Sequence, residues 1–141
     1  MSSMLRISEA ASLAMHTAAL LAVEPQRRLS TGQVATALGV SEAHLAKVLQ
    51  RLARAGLVRS ERGPHGGFQL VGDPAKVALI EIYEAIEGPL QPVECLLGKR
   101  VCRGEHCILG GLASSIDQQV REYLTGTYLA QLVDVYAGVS L

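Results

Sequence analysis

The feature that most restricts the fold is a pair of short helical segments separated by a single glycine. Thr31 is expected to cap the first segment, Gly32–Leu38, because its hydroxyl can accept a hydrogen bond from an otherwise unpaired backbone amide. Gly39 follows, and glycine adopts the left-handed backbone that ends a helix at little cost. Ser41 then caps the second segment, Glu42–Ala55. Two helices joined by such a tight turn are typical of a helix-turn-helix.

The second helical segment is amphipathic, and a glycine-rich hairpin follows it directly. Two strands are predicted, Leu57–Ser60 and Phe68–Val71, with three glycines in the turn between them. A helix-turn-helix followed by a hairpin indicates a winged helix-turn-helix, whose second helix enters the major groove of DNA. The side chains that recur at helical spacing, and should face the core, are Leu45, Val48, Leu49 and Leu52.

Helical periodicity and helix breakers divide the rest of the chain. The predicted fold class is mainly α with a small β-hairpin wing and a long C-terminal helix. Residues 1–75 would form the winged helix-turn-helix region, and residues 76–141 a second region that contains the cysteines. The other predicted helices are residues 5–23, which Pro25 stops, 76–87, which Asp73 and Pro74 open, 109–124, and a short last helix at 128–136.

The 141-residue chain has no net formal charge, but its charges are unevenly divided. Residues 1–72 hold eight basic and four acidic side chains, whereas residues 73–141 hold five basic and nine acidic ones. This division favours a DNA-binding module joined to a second module. No apolar run approaches the roughly 18 residues of a membrane helix, and no secretory signal is recognised, so we expect a cytoplasmic protein without a membrane partner. No nucleophile–base pair or phosphate-binding loop indicates an enzyme.

The exposed face of the second helix and the wing supply the candidate contacts to double-stranded DNA. Helix N-terminal residues approach base edges, basic side chains bind phosphates, and wing arginines suit a minor groove. One alternative is that this polar face is merely solvated, and another is a cluster- or zinc-binding interaction protein that no longer binds DNA. The candidates are His44, Lys47, Ser41 and Glu42 for base edges; Thr31, Gln50, Arg51 and Arg54 for phosphates; and Arg59, Arg62 and His65 in the wing.

Three cysteines lie close together in an irregular segment, residues 90–107. Six residues separate Cys95 from Cys102, and four separate Cys102 from Cys107. An odd number of cysteines in a cytoplasmic protein favours a metal or redox site over disulfides. Soft thiolates suit an iron–sulfur cluster, and nearby basic side chains would favour their deprotonation. Zinc and free oxidant-sensing thiols remain alternatives.

The run LAKVLQRLARAGLVRSERGPHGGFQL, residues 45–70, resembles the Rrf-two family of transcription regulators. The resemblance extends to the helix at 77–87, the cysteine segment and the ending at Tyr128–Val133. It implies an intertwined winged-helix homodimer with one compact domain per subunit, in which the long C-terminal helix at 109–124 is a dimerisation helix that crosses its partner. Residues 76–141 would then be the cysteine-loop sensor and dimerisation region. It also implies that the protein represses or activates transcription from a DNA operator.

The resemblance also implies a cofactor, namely an iron–sulfur cluster held in each subunit by Cys95, Cys102 and Cys107. The signal sensed in such proteins is nitric oxide, oxygen, redox state or cluster supply. Relatives usually have two equal gaps between these cysteines, so the middle cysteine here is shifted by one residue within the same span. The shift leaves open whether the cluster is of the 2Fe–2S or the 4Fe–4S type.

Three cysteines leave one ligand position to be filled. Some relatives use a histidine shortly after the last cysteine, but Gly110 stands at that position here. Others take a ligand from the first helix of the partner subunit, where the matching residue is Ser12, a poor ligand. His16 lies one turn later on the same helical face, so the resemblance implies His16 from the partner as the extra ligand. Glu9, Ser12 and His106 are the alternatives.

Overall fold

A computed structural model describes residues 7–92 and 95–141. Five α-helices, one antiparallel hairpin and two 3-10 helices make up this part of the chain, so the mainly α fold with a hairpin wing is confirmed. In chain order the elements are α1 (Glu9–Val23), α2 (Thr31–Leu38), α3 (Glu42–Arg54), β1 (Val58–Glu61), β2 (Gly67–Leu70), a first 3-10 helix (Pro74–Lys76), α4 (Leu79–Glu87), α5 (Leu112–Gly126) and a C-terminal 3-10 helix (Leu129–Val135).

Helix α1 forms the centre of the subunit. The Ser8 hydroxyl caps it by accepting a hydrogen bond from the Ala11 amide at 3.0 Å, which is why the helix begins at Glu9. Its inward positions are largely alanines, and small side chains let neighbouring backbones come close. The helix packs against α4 and the C-terminal 3-10 helix, and also contacts α2, α3 and β2.

The helix-turn-helix is built as the sequence predicts, with one correction. Gly39 ends α2 at a φ of 67°, and Ser41 caps α3 by accepting from the His44 amide. The cap of α2 is Ser30 and not Thr31, because Gln33 completes a capping box with Ser30. Thr31 becomes the first helical residue. The four predicted apolar residues of α3 are all buried.

The wing is anchored to the segment between α1 and α2. Val58 pairs with Leu70 and Glu61 with Gly67, so each strand lies one residue from its predicted position. Leu29 adds a bridge to Phe68 through two backbone hydrogen bonds of 2.8 and 2.9 Å. A Cβ at Gly67 would lie 2.6 Å from the Leu29 carbonyl oxygen, so this close approach requires glycine.

Three predicted helices have different bounds. The predicted helix 76–87 is two elements, because Val77 and Ala78 are extended and pair with the chain around Tyr128. Helix α5 begins at Leu112 rather than residue 109, and the last helix is a 3-10 helix. For the first helix, predicted over residues 5–23, residues 1–6 lie outside the described part of the chain.

One hydrophobic cluster joins the two predicted regions. It includes Leu20 and Leu52 from the first region, and Ile82, Leu124 and Leu129 from the second. Within residues 7–92 and 95–141, no helix is sufficiently long and apolar to span a membrane.

The corrected cap of α2 can be tested with two neighbouring substitutions. Ser30→Ala should lower the free energy of unfolding by about 1 kcal/mol, because the Gln33 amide loses its acceptor. Thr31→Ala should have a clearly smaller effect. Urea unfolding at one fixed protein concentration measures both. Equal losses for the two variants would contradict the assignment of Ser30 as the cap.

Candidate nucleic-acid interface and cysteine segment

Helix α3 separates its side chains into a buried face and an exposed one. Leu45, Leu49 and Leu52 are fully buried against the rest of the subunit. The opposite side is solvent-exposed and carries polar side chains at helical spacing. A helix anchored by one apolar face presents the other as a rigid polar surface. The predicted contacts on α3 and its cap that are exposed are Ser41, Glu42, Lys47, Gln50, Arg51 and Arg54.

Two predicted base-edge residues have neighbours within the subunit. His44 is half-buried and lines a groove that it shares with Glu9, Ser12 and His16 of α1. The Glu42 carboxylate lies beside Gly32, with one oxygen 3.1 Å from the position of a Cβ built there. Lys47, by contrast, is exposed and carries a positive charge.

Arg51 of α3 makes a contact with α4. Its Nη2 donates a hydrogen bond to the carbonyl oxygen of Ile86, near the end of α4, at 2.5 Å. The sequence placed Arg51 among the phosphate contacts because it lies on the polar face of α3. In the structure it also connects α3 to α4, but its side chain stays exposed, so Arg51 remains a predicted phosphate contact.

The wing exposes the three residues predicted for it. Arg59 lies on β1, and Arg62 and His65 lie in the turn, where Gly63 has a φ of 109°. The sequence analysis missed Arg28, which precedes α2 and reaches the wing. Its side chain contacts Gln69 of β2 and Glu61 of β1. Its position in a plain polar connection gave no signal of this role.

The three cysteines are free thiols. Cys95 is half-buried, whereas Cys102 and Cys107 are exposed. The carbonyl oxygens of Cys95 and Cys107 accept hydrogen bonds from Gly98 and Gly110 in tight turns. In residues 7–92 and 95–141, no three His, Cys, Asp or Glu side chains are close enough to hold a metal ion. The predicted convergence of these cysteines is therefore not present in this arrangement.

His16 is exposed on α1 and contacts the C-terminal end of the chain. Its Nδ1 lies 2.5 Å from the Tyr136 hydroxyl, and the two rings meet edge to face with centroids 6.1 Å apart. Burial raises the pKa of Tyr136 above its ordinary value. The sequence did not indicate this contact. The alternative ligands Glu9 and His106 are exposed, and Ser12 is half-buried.

An apolar groove of about 510 Å³ runs between α1, α5 and the C-terminal 3-10 helix. Met15 and Ala19 line it from α1, and Val120 and Tyr123 line it from α5. Along α5 the apolar side chains recur at helical spacing: Leu124 is buried and Ile116 and Val120 are half-buried, but Leu112 and Tyr123 remain 49% and 59% exposed. A single chain thus leaves part of this apolar face uncovered.

These features define a winged-helix regulator with an appended cysteine segment. The model of the Rrf2 family, described as an iron-dependent transcriptional regulator, matches residues 7–135. The chain belongs to the Rrf2 family, which confirms the resemblance found in the sequence. Members of this family are transcription regulators and not, in general, enzymes.

Individual relatives agree with this membership. BadM of Rhodopseudomonas palustris is 37% identical over 59% of this chain and 53% of its own length. The regulator IscR of Yersinia enterocolitica is 31% identical over 68% of this chain and 58% of its own length. The chain therefore spans little more than half of these relatives. The solved structure of CymR, the global cysteine regulator of B. subtilis, has a TM-score of 0.75 and 29% identity, covering 94% of this chain and 98% of CymR.

The hydrogen bond from Arg51 to the Ile86 carbonyl oxygen predicts that Arg51 stabilises the fold. Arg51→Ala should lower the free energy of unfolding by about 1 kcal/mol, because the buried end of α4 loses a hydrogen bond from a charged donor. Arg54→Ala removes the same charge from the exposed side of α3 and should change stability by less than about 0.5 kcal/mol. Thermal or urea unfolding measures the stability of both variants. An Arg51→Ala protein as stable as Arg54→Ala would contradict the structural role.

Proposed function

We propose that this chain is a homodimeric transcription regulator that binds double-stranded DNA. The observation that carries the proposal is the rigid polar face of α3, which stands beside an exposed, arginine-bearing wing. Such a helix fits a major groove, and the wing contacts the adjacent backbone or minor groove. The basic charge of residues 1–72 supports attraction to phosphates.

The proposed contacts fall into two groups. Lys47 approaches base edges, together with Ser41, Glu42 and His44 near the start of α3. The remaining side chains hold the sugar–phosphate backbone and set the position of the protein on the duplex. They are Thr31, Gln50, Arg51 and Arg54 in the helix-turn-helix, and Arg59, Arg62 and His65 in the wing.

The proposed dimer rests on the uncovered apolar surface of α5. Leu112 and Tyr123 are exposed, and the groove that Tyr123 lines is formed mostly by apolar side chains. Surfaces of this kind mark protein–protein interfaces. A second copy of α5 crossing this groove would bury both helices and give the dimer a two-fold axis. Two winged modules would then bind half-sites about one helical turn apart.

A binding experiment tests this proposal. The protein is mixed with sheared genomic DNA, bound fragments are recovered, and one fragment is footprinted at fixed salt. We expect a footprint with two half-sites. Lys47→Ala should weaken binding to this fragment by about tenfold or more, the cost of one lost base or phosphate contact.

The matched control is Lys76→Ala, which removes an exposed lysine from the first 3-10 helix. It should bind the fragment within about twofold of the original protein. Failure to recover any specific fragment would contradict the proposed function. Equal affinities for Lys47→Ala and the original protein would remove Lys47 from the interface.

For the cysteine segment we propose an iron–sulfur sensor. The donor set fits by chemistry, because three free thiols lie within thirteen residues, with Lys99, Arg100 and Arg103 among them. The segment would have to refold for the three sulfurs to meet, as metal binding can drive. His16 of the partner would complete the set through Nε2, because its Nδ1 is occupied by Tyr136. When bound, the cluster supplies a redox-active centre whose state the segment reports to the DNA-binding region.

A second candidate is sensing by the thiols without a cluster. The exposure of Cys102 and Cys107 favours it, because accessible thiolates are the ones that oxidants reach. Zinc held by the cysteines is the remaining alternative.

Anaerobic purification distinguishes these candidates. We expect visible absorbance with matched iron and acid-labile sulfide, and expect Cys102→Ala to lose all three, because two cysteines hold a cluster poorly. The control Ser114→Ala removes one exposed γ atom from α5 and should retain them. A colourless protein after anaerobic reconstitution would contradict the cluster. A zinc assay and reversible peroxide-dependent loss of DNA binding would then identify the alternative.

A further inference from the structure

We propose that Arg28 is a positioning residue for the wing, which it fixes against the helix-turn-helix while neutralising Glu61. The inference rests on the proposed DNA-binding function, because its consequence is felt at the wing–DNA contact. Arg28 is not proposed to contact DNA itself. Its positive charge pairs with Glu61 within the subunit. The neighbouring basic residues of the wing can then attract DNA phosphates without opposition from the Glu61 carboxylate.

The guanidinium of Arg28 holds both strands of the hairpin. Its Nε donates to Oε1 of Gln69 on β2 at 3.2 Å, and its Nη2 lies 2.8 Å from Oε1 of Glu61 on β1. Gln69 is buried, with 5% of its surface exposed, so its oxygen requires a partner from the protein. The planar fork of an arginine can satisfy two acceptors at once, which a lysine cannot do in the same fixed geometry.

The backbone next to Arg28 supports the same role. Leu29 forms its two backbone hydrogen bonds with Phe68 of β2, and Ser30 caps α2. The close approach at Gly67 brings the linker directly onto the hairpin. Residues 28–30 therefore form the joint between the wing and the helix-turn-helix, and Arg28 supplies its side-chain contacts.

Glu61 explains why the joint needs a positive charge. It is the one acidic residue between Leu57 and Val71, and it lies directly before Arg62 at the wing tip. An uncompensated carboxylate at this point would repel the DNA phosphates that the wing approaches. The ion pair is partly exposed, with side chains 38% and 43% accessible, so it contributes little to stability. Its contribution is therefore to the position and charge of the wing.

A double-mutant cycle on the footprinted fragment tests the inference. Arg28→Gln leaves Glu61 without its partner, and we expect affinity to fall by about tenfold at fixed salt. In the Glu61→Gln background the same substitution should change affinity by no more than about threefold, since no carboxylate remains to be neutralised. Arg27→Gln is the control: this neighbouring arginine pairs with Glu24 and should leave affinity within about twofold.

The salt dependence of binding separates positioning from direct contact. A direct phosphate contact by Arg28 would give the same loss in both backgrounds and lower the slope of log affinity against log salt by about 0.9. Either that result or an Arg28→Gln protein of unchanged affinity would overturn the inference. Glu61→Gln keeps the Arg28–Gln69 hydrogen bond possible, so it provides a folded reference if Arg28→Gln is unstable. Absence of specific binding by the original protein would instead contradict the proposed function.

Discussion

The close packing around α1 is the interaction on which the other parts of the subunit depend. Ala11, Ala14 and Ala18 are completely buried, and their small side chains allow several elements to meet on one helix. The helix-turn-helix, α4 and the C-terminal 3-10 helix all pack against it. A larger side chain at these positions would force the neighbours apart, since protein interiors have few voids to absorb added volume. The DNA-binding and C-terminal regions consequently share one core.

The end of α4 is the place where the cysteine segment joins this core. Arg51 of α3 donates to the Ile86 carbonyl oxygen, and the Ser8 hydroxyl donates to the Glu87 carboxylate. Just beyond, Arg121 of α5 donates to the Leu90 carbonyl oxygen at 3.4 Å. The chain therefore passes from α4 into the cysteine segment between contacts to α1, α3 and α5. If a signal rearranges residues 95–107, these are the physical contacts through which it can bias the orientation of α3.

The sequence predicted correctly those features that depend only on residues close together in the chain. Gly39, the Ser41 cap and the leucine face of α3 depend on residues within a few positions, and all agree with the structure. Ser30 and Thr31 can both cap a helix, and Gln33 decides between them. The extended Val77–Ala78 pair could not be predicted, because its partner around Tyr128 is some fifty residues away in the chain.

In the candidate sites, too, features set by nearby residues could be predicted, whereas contacts between distant residues could not. Exposure of Lys47 follows from helical spacing alone, but the engagement of Arg51 depends on where α4 packs. The contacts of His16 with Tyr136 and of Arg28 with Glu61 join residues far apart in sequence. Polarity and spacing identify which side chains are candidates, whereas tertiary packing decides which of them remain available to a ligand.

The cysteine segment illustrates a different limit of prediction from sequence. The spacing of Cys95, Cys102 and Cys107 sets how far each sulfur can reach, but it supplies no force that draws the three together. Their thiols neither repel water strongly nor pair with one another, and positive charge on Lys99, Arg100 and Arg103 favours separation of those side chains. The free energy that would assemble such a site comes from bonds between thiolate and metal, and it is available to the folded chain only when a metal binds. The same segment exposes Leu96 and Leu97, and Ile108 directly after it is 93% accessible. Its arrangement within one chain thus leaves these apolar side chains and two of the three cysteines exposed, and a ligand and a second subunit offer the two interactions that would bury them.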